Sequence, residues 1–274
     1  MTTSYVERPD GARIAWESDG SDDAPPVLLV MGLAYPAAMW FRLVPALAEH
    51  YRVIRVDNRG AGHTGDVPGA PYTVPTMAAD CLAVLDEAGV DRAHVVGISM
   101  GGLISQELAV TAPERVRSLC LMATHPGIAQ AVINPEALKL VTSGRADMTP
   151  QEAAEASIPF NYADDTPRER MEEDWAVRFP LACTLTGYMA QVQGTLPWSR
   201  HADLPSVTVP TLVLHGELDA LVPVENGRNI AARIPGAELV TVPGANHVLM
   251  TDKPDEVGKT LLDWLDRQSS GQQT

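Results

Sequence analysis

Four short apolar runs separated by helical patterns constrain this chain's architecture more than any other feature of its sequence. Val27–Met31, Arg52–Val56, Ala93–Gly97 and Val116–Ala123 read as buried strands. Helical patterns at Ala38–His50, Thr76–Ala88 and Ser99–Val110 lie between them. A strand that is apolar on both faces has to be covered on both. Helices between such strands supply the cover and force each connection to cross over, which makes neighbouring strands parallel. The rhythm returns later, with a strand at Val209–His215, a helix near Glu225–Arg233, a strand at Glu238–Val242 and a last helix at Lys253–Arg267. Tyr5–Arg8 and Ala12–Glu17, turning at Asp10-Gly11, read as an antiparallel hairpin on the sheet's edge. The expected class is α/β, a mostly parallel sheet flanked by helices.

Between residues 127 and 203 the strand-like runs stop and helix starts multiply. Thr149-Pro150-Gln151-Glu152 and Thr166-Pro167-Arg168-Glu169 each offer a capping Thr, a Pro in the first turn and a Glu at the third position, and Asn134-Pro135 marks a further start. The expected organisation is an α/β core of residues 1–126 and 204–268, a helical lid of residues 127–203 over the sheet's carboxyl edge, and a frayed tail from 269 to 274.

Charge narrows the function classes. The 274 residues carry 20 Lys and Arg against 35 Asp and Glu, a net charge of −15, without any basic run. Such a surface repels phosphate backbones and anionic lipid, so neither nucleic acid nor membrane is an expected partner. The amino terminus shows no basic segment followed by an apolar stretch, and Val27–Phe41, interrupted by Gly32 and Pro36, is too short for a membrane span. Cys81, Cys120 and Cys183 are widely spaced and odd in number, as in free thiols of a reducing compartment. A soluble cytoplasmic protein is expected.

The chemistry centres on Gly97-Ile98-Ser99-Met100-Gly101, a G-x-S-x-G pentapeptide between an expected strand and an expected helix. A sharp turn there requires small flanking residues and exposes the serine hydroxyl at the sheet's edge, with the helix's free N–H groups beside it. A serine needs a base, and the base needs an acid to fix its tautomer. The chain order Ser…Asp…His selects His247, in the loop Pro243–His247, and Asp219, just after the strand ending at His215. His63, His125 and His215 near strand ends are alternative bases, and Glu217 and Glu225 are competing acids. The position after Ala123 holds Thr124-His125-Pro126-Gly127 and no carboxylate. The backbone N–H groups of Met100 and Leu33 are the candidate oxyanion donors.

These motifs resemble the α/β-hydrolase superfamily along the whole chain. Asp57-Asn58-Arg59-Gly60-Ala61-Gly62 is similar to the family's D-x-R-G-x-G segment, joined by Pro113–Val116, Pro210–Gly216 and Gly244–His247. Within the superfamily the chain resembles small bacterial esterases, lactonases and cofactor-free haloperoxidase-like members. The usual His-Gly of the oxyanion loop is Met31-Gly32 here, a variant similar to the branch containing aclacinomycin methylesterase. Ser99 stands where haloalkane dehalogenases and epoxide hydrolases carry Asp, so neither activity is implied. The resemblance implies a cofactor-free, metal-free hydrolase that forms an acyl-enzyme on Ser99 from a small to medium apolar ester or lactone.

Two further readings stay open: different chemistry on the same residues (perhydrolysis, C–C bond hydrolysis, acyl transfer or cyclisation) and a ligand-binding receptor. The lid's aromatics Phe160, Tyr162, Trp175, Phe179, Tyr188 and Trp198 either wall a pocket or fix the lid to the sheet. Leu33, Trp175, Met189 and Val248 are the candidate substrate contacts, and a second copy of the chain is a candidate partner.

Overall fold

In the computed structural model of the protein, residues 2–142 and 148–270 are described. Eight strands form one sheet: β1 (Ser4–Glu7), β2 (Arg13–Asp19), β3 (Pro26–Val30), β4 (Arg52–Val56), β5 (Ala93–Ile98), β6 (Val116–Met122), β7 (Thr211–Gly216) and β8 (Glu238–Val242). Their order across the sheet is β1-β2-β4-β3-β5-β6-β7-β8. β1 and β2 form the expected edge hairpin, and β2 joins β4 antiparallel. Every other pairing is parallel. From β3 the chain first steps to β4 on one side and then crosses to β5 on the other. The carboxyl ends of β3 and β5 therefore flank the point where strand order reverses, the usual ligand crevice of such sheets.

Helices α1 (Val44–Ala48), α2 (Val74–Glu87) and α3 (Met100–Thr111) alternate with the first strands. The inserted helices α4 (Pro135–Thr142), α5 (Pro150–Asn161), α6 (Arg168–Arg178) and α7 (Leu185–Thr195) all fall between β6 and β7. The chain ends in α8 (Glu225–Arg233), the short α9 (Leu249–Asp252) and α10 (Pro254–Ser270). Alternating strand residues feed two cores. Leu28 and Val30 pack with α2, α3 and Ile230 of α8. Val27 and Leu29 pack with α1 and with Leu261 and Trp264 of α10. Each fully buried Leu or Val on these strands contributes about 1.5–3 kcal/mol, which makes the sheet a rigid platform for what sits on its edge. No described helix is long and apolar enough to cross a membrane.

Three local expectations are corrected and one holds. The helix expected over Ala38–His50 is a 3-10 segment at Ala37–Arg42 followed by α1. Pro45 lacks the N–H that a continuous helix would direct to Phe41, so the helix breaks there. Thr149 does form a complete capping box with Glu152. Thr166 does not cap α6: its hydroxyl donates to Asp252 Oδ1 (2.5 Å), and Pro167 occupies the cap position. Ser269 belongs to the last turn of α10, its hydroxyl donating to Leu265 O (3.0 Å). Of the expected tail, only 271–274 lie outside the described residues.

Candidate active site

Ser99 sits between β5 and α3 with φ 55° and ψ −118°, a conformation that L-residues rarely adopt. The turn is tight on every side. A Cβ on Gly97 would lie 2.2 Å from Gly101 O, and one on Gly101 would lie 2.1 Å from Val30 O. Only glycine lets α3 start this close to β3 and β5. The Ser99 N–H bonds Met122 O (2.9 Å), and Thr124 Oγ1 donates to Ser99 O (2.7 Å). The backbone of the nucleophile candidate is thus held by Met122 at the end of β6 and by the Thr124 hydroxyl just beyond it.

The loop after β3 passes directly over it. A Cβ on Gly32 would lie 3.2 Å from Ser99 Cβ. Asn58 Nδ2 donates to Met31 O (2.9 Å), and the Ala34 N–H donates to Gln191 Oε1 (2.7 Å). Gln191, from α7, also donates to Arg59 O (2.6 Å). Asp57 accepts from the N–H groups of Ala37 (2.6 Å) and His63 (2.8 Å). The Asp57–Gly62 segment therefore braces the loop. The Leu33 and Met100 N–H groups have no hydrogen-bond partner among the described residues and stay available to an anion.

Asp219 and His247 meet on the other side. Gly216, at the end of β7, packs so closely on the Ala245–Asn246 backbone that a Cβ would lie 2.3 Å from Asn246 O. His247 Nδ1–H donates to Asp219 Oδ2 (2.9 Å), which leaves Nε2 for the cavity side. The other carboxylate oxygen accepts from the N–H groups of Leu221 (3.0 Å) and Val222 (2.7 Å). Burial alone would raise the pKa of Asp219, but His247 and His215 outweigh it and hold the carboxyl below its ordinary value. Of the competing acids, Glu217 accepts from Thr241 on the surface, and Glu225 pairs with Arg228.

The sequence offers His215 as an alternative base, and the structure gives it another place. Its Nε2 lies 3.2 Å from Asp219 Oδ2 and 2.8 Å from Val222 O. It approaches the same carboxylate oxygen that His247 bonds. The i, i+4 spacing of His215 and Asp219 across a strand end was the available signal. Asn246 is a second positioning residue that sequence reading missed. Its Oδ1 accepts from the His247 (2.9 Å) and Ala220 (2.8 Å) N–H groups, and its Nδ2 donates to Tyr162 O (2.9 Å).

Two cavities adjoin Ser99. The smaller, about 50 Å³, is lined by Leu33, Tyr35, Ser99, Asn161, His247 and Val248 among others. The larger, about 140 Å³, is mostly apolar and is walled by Met100, Ile128, Leu138, Val192 and Leu196, with His125. Leu33, Ser99, Val141 and Leu221 face both. His125 Nδ1 accepts the Gly127 N–H (3.1 Å), so the proton of the neutral ring is on Nε2. Its ring is enclosed by protein with part of its surface on the cavity, and burial followed by the charge of His247 pushes its pKa down to about 4. Of the candidate contacts, Leu33 and Val248 reach the cavities. Trp175 and Met189 line neither. Trp175 is 4% exposed in the core beneath α6 and stacks on Phe179, and Met189 packs beside Tyr188 and Val192. Trp175 belongs to the core cluster on the α1 and α10 side of the sheet, and Met189 packs on a cluster that includes Ala34.

This combination of fold and site defines a class, and comparison with known proteins agrees. A family model described as alpha/beta hydrolase fold matches residues 25–254. The chain therefore belongs to the alpha/beta hydrolase fold family, as a hydrolase. It is 32% identical to a Mycobacterium tuberculosis protein named "Putative non-heme bromoperoxidase BpoC", over 91% of this chain and 96% of that one. Among solved structures, the enol-lactonase of Burkholderia xenovorans LB400 is similar with TM-score 0.82 and 29% identity, covering 96% of this chain and all of the other. A thermophilic esterase from Thermogutta terrifontis is similar with TM-score 0.85 and 28% identity, covering 98% and 99%.

Proposed function

We propose that the protein hydrolyses a carboxylic ester or lactone of a small to medium apolar substrate through an acyl-enzyme on Ser99. One observation carries the reading: Ser99 and His247 line the same cavity, while Asp219 occupies His247 Nδ1 and leaves Nε2 facing inward. His247 takes the proton of Ser99 Oγ as it attacks the carbonyl carbon. The oxyanion is met by the N–H groups of Leu33 and Met100. Collapse expels the alkoxide, which His247 protonates, and the same residue then activates the water that releases the acid. The insertion of residues 127–203 serves as a lid over the apolar wall, and Leu33 and Val248 contact the substrate. The chain works without metal or organic cofactor, and its acidic composition suits the cytoplasm.

The test follows p-nitrophenol release from p-nitrophenyl esters of increasing acyl length. Release that vanishes in Ser99→Ala supports the acyl-enzyme, and release that persists in the variant overturns it. The relative named for bromoperoxidase activity favours a second reading, attack of peroxide in place of water on the acyl-enzyme. Peracid formation from a carboxylic acid and hydrogen peroxide, outpacing ester hydrolysis, would establish that reading.

A further inference from the structure

Three arginines are buried among the described residues, and two of them pair with two carboxylates each. Arg55 pairs with Glu17 and Asp19, and Arg59 pairs with Asp10 and Asp80. Arg178, the last residue of α6, is 9% exposed and has no carboxylate within ion-pair distance among the described residues. Its Nη1 donates to the Tyr35 hydroxyl (3.1 Å), and its guanidinium lies 4.4 Å from the centroid of that ring. One neutral hydroxyl and one aromatic face leave most of its five donors unused. None of those donors is sealed in protein without a partner; they open on the adjoining space, placed to bond an anion there.

The surroundings supply the space. Arg178 lines a cavity of about 290 Å³ walled by Ala34, Met148, Ala153, Phe179, Thr184 and Tyr188. It is the only charged side chain among the described residues of that wall. The wall's other polar side chains are engaged: Thr184 donates to Asp66, Tyr188 to Val141 O and Cys183 to Thr184 O. The nearest acid on its own helix, Asp174, is saturated by Arg42, Thr251 and Tyr162. The loop after β3 borders both this cavity and the one at Ser99. Ala34 faces the Arg178 cavity, while its neighbours Leu33 and Tyr35 line the cavity at Ser99.

We infer that Arg178 anchors a carboxylate-binding site that takes the charged end of a substrate whose ester lies at Ser99. The inference rests on the hydrolase reading and narrows its substrate class to esters with a carboxylate-terminated acyl chain. A guanidinium fork matches a carboxylate with two parallel hydrogen bonds, which neutral esters cannot offer.

The test pairs binding with kinetics. Glutarate binding to the full chain is measured by titration calorimetry for wild type, Arg178→Gln and Arg178→Lys, with folding checked by circular dichroism. The same proteins hydrolyse p-nitrophenyl monoesters of succinate, glutarate and adipate beside neutral esters of equal length. Arg178→Gln is expected to weaken glutarate binding, and kcat/KM for the best charged ester, by roughly 10- to 100-fold, with neutral esters changed less than about threefold. Arg178→Lys, which keeps charge without the fork, falls between and reads the site if the Gln variant does not fold. Loss of glutarate binding without loss of preference among esters overturns the assignment to the substrate's charged end and leaves a site for a free carboxylate. Equal glutarate binding in wild type and both variants, or none in wild type, overturns the proposal. Failure of every ester with intact, Arg178-dependent glutarate binding would sink the hydrolase reading alone.

Discussion

The sheet's carboxyl edge and the inserted helices build the site by different means. At the edge, Ser99 is positioned by glycines at 97 and 101 and by main-chain bonds, and the Asp219 carboxylate is fixed by two backbone N–H groups. The insertion contributes mostly side chains: Ile128, Leu138, Val192 and Leu196 wall the larger cavity and Gln191 reaches back to the core, joined by the Asn161 carbonyl. Chemistry is therefore written in the backbone, where substitutions are scarcely tolerated, and shape is written in replaceable apolar groups. Variants at the edge should abolish reactions, whereas variants in the insertion should redistribute them among substrates.

The largest effect expected is at Ser99, where Ala should lower kcat on a p-nitrophenyl ester by roughly 10⁴- to 10⁶-fold without loss of fold. A variant keeping most of its turnover would place the chemistry away from the edge. Asp219→Asn should cost on the order of 10⁴-fold through loss of tautomer control, against less than about twofold for Glu217→Gln. Equal losses in steady-state assays would move the acid.

A third test sets a sheet residue against a cavity residue. His94 is buried at the start of β5, bonded to Ser118 (2.7 Å), and like His125 is pushed by burial from 6.5 to about 4. Folding keeps both rings neutral, so unfolding takes up protons between those values. Stability is then lost as pH falls from about 6.5 towards 4, by about 1.4 kcal/mol per pH unit for each ring. Denaturant titrations of His94→Gln and His125→Gln should each remove one ring's share of that slope. A slope unchanged in both would refute the neutral assignment.

Gln191→Leu cuts the insertion's hold on the Ala34 N–H, and kcat should fall by roughly 10-fold with KM little changed, because the adjoining Leu33 N–H loses its aim. A change in KM alone would show that Gln191 shapes the pocket instead. The mildest variant is Leu138→Ala, expected to shift the preferred acyl length with rate changes of a few-fold, about 1 kcal/mol. A length profile identical to wild type would show that the larger cavity holds no acyl chain.

The same division explains what was legible in the chain. The strands at Arg52–Val56 and Glu238–Val242 match their expected limits, because β-branched runs bounded by turns carry a local signal. The spacing of Ser99, Asp219 and His247 after strand ends points to one edge of the sheet, and the structure brings Asp219 to His247 and His247 to the cavity of Ser99. What was not readable depends on tertiary partners. Thr166 carries every mark of a cap, yet Asp252, 86 residues away, takes its hydroxyl. Trp175 and Met189 have the composition of pocket residues, but which face of a helix meets the sheet is set by packing that no local pattern encodes. Asn246 lies beside His247 in sequence, and its role depends on carbonyls of the insertion.

That last contact has a consequence for engineering. Asn246 holds Tyr162 O, and the Val248 N–H donates to Asn161 O (2.8 Å), so the loop of His247 is docked on the end of α5. The insertion is not a cassette that can be exchanged between relatives to transplant specificity. A donor segment must present two acceptor carbonyls at the places of Asn161 and Tyr162. A chimera built without them keeps its serine in place and misplaces its histidine.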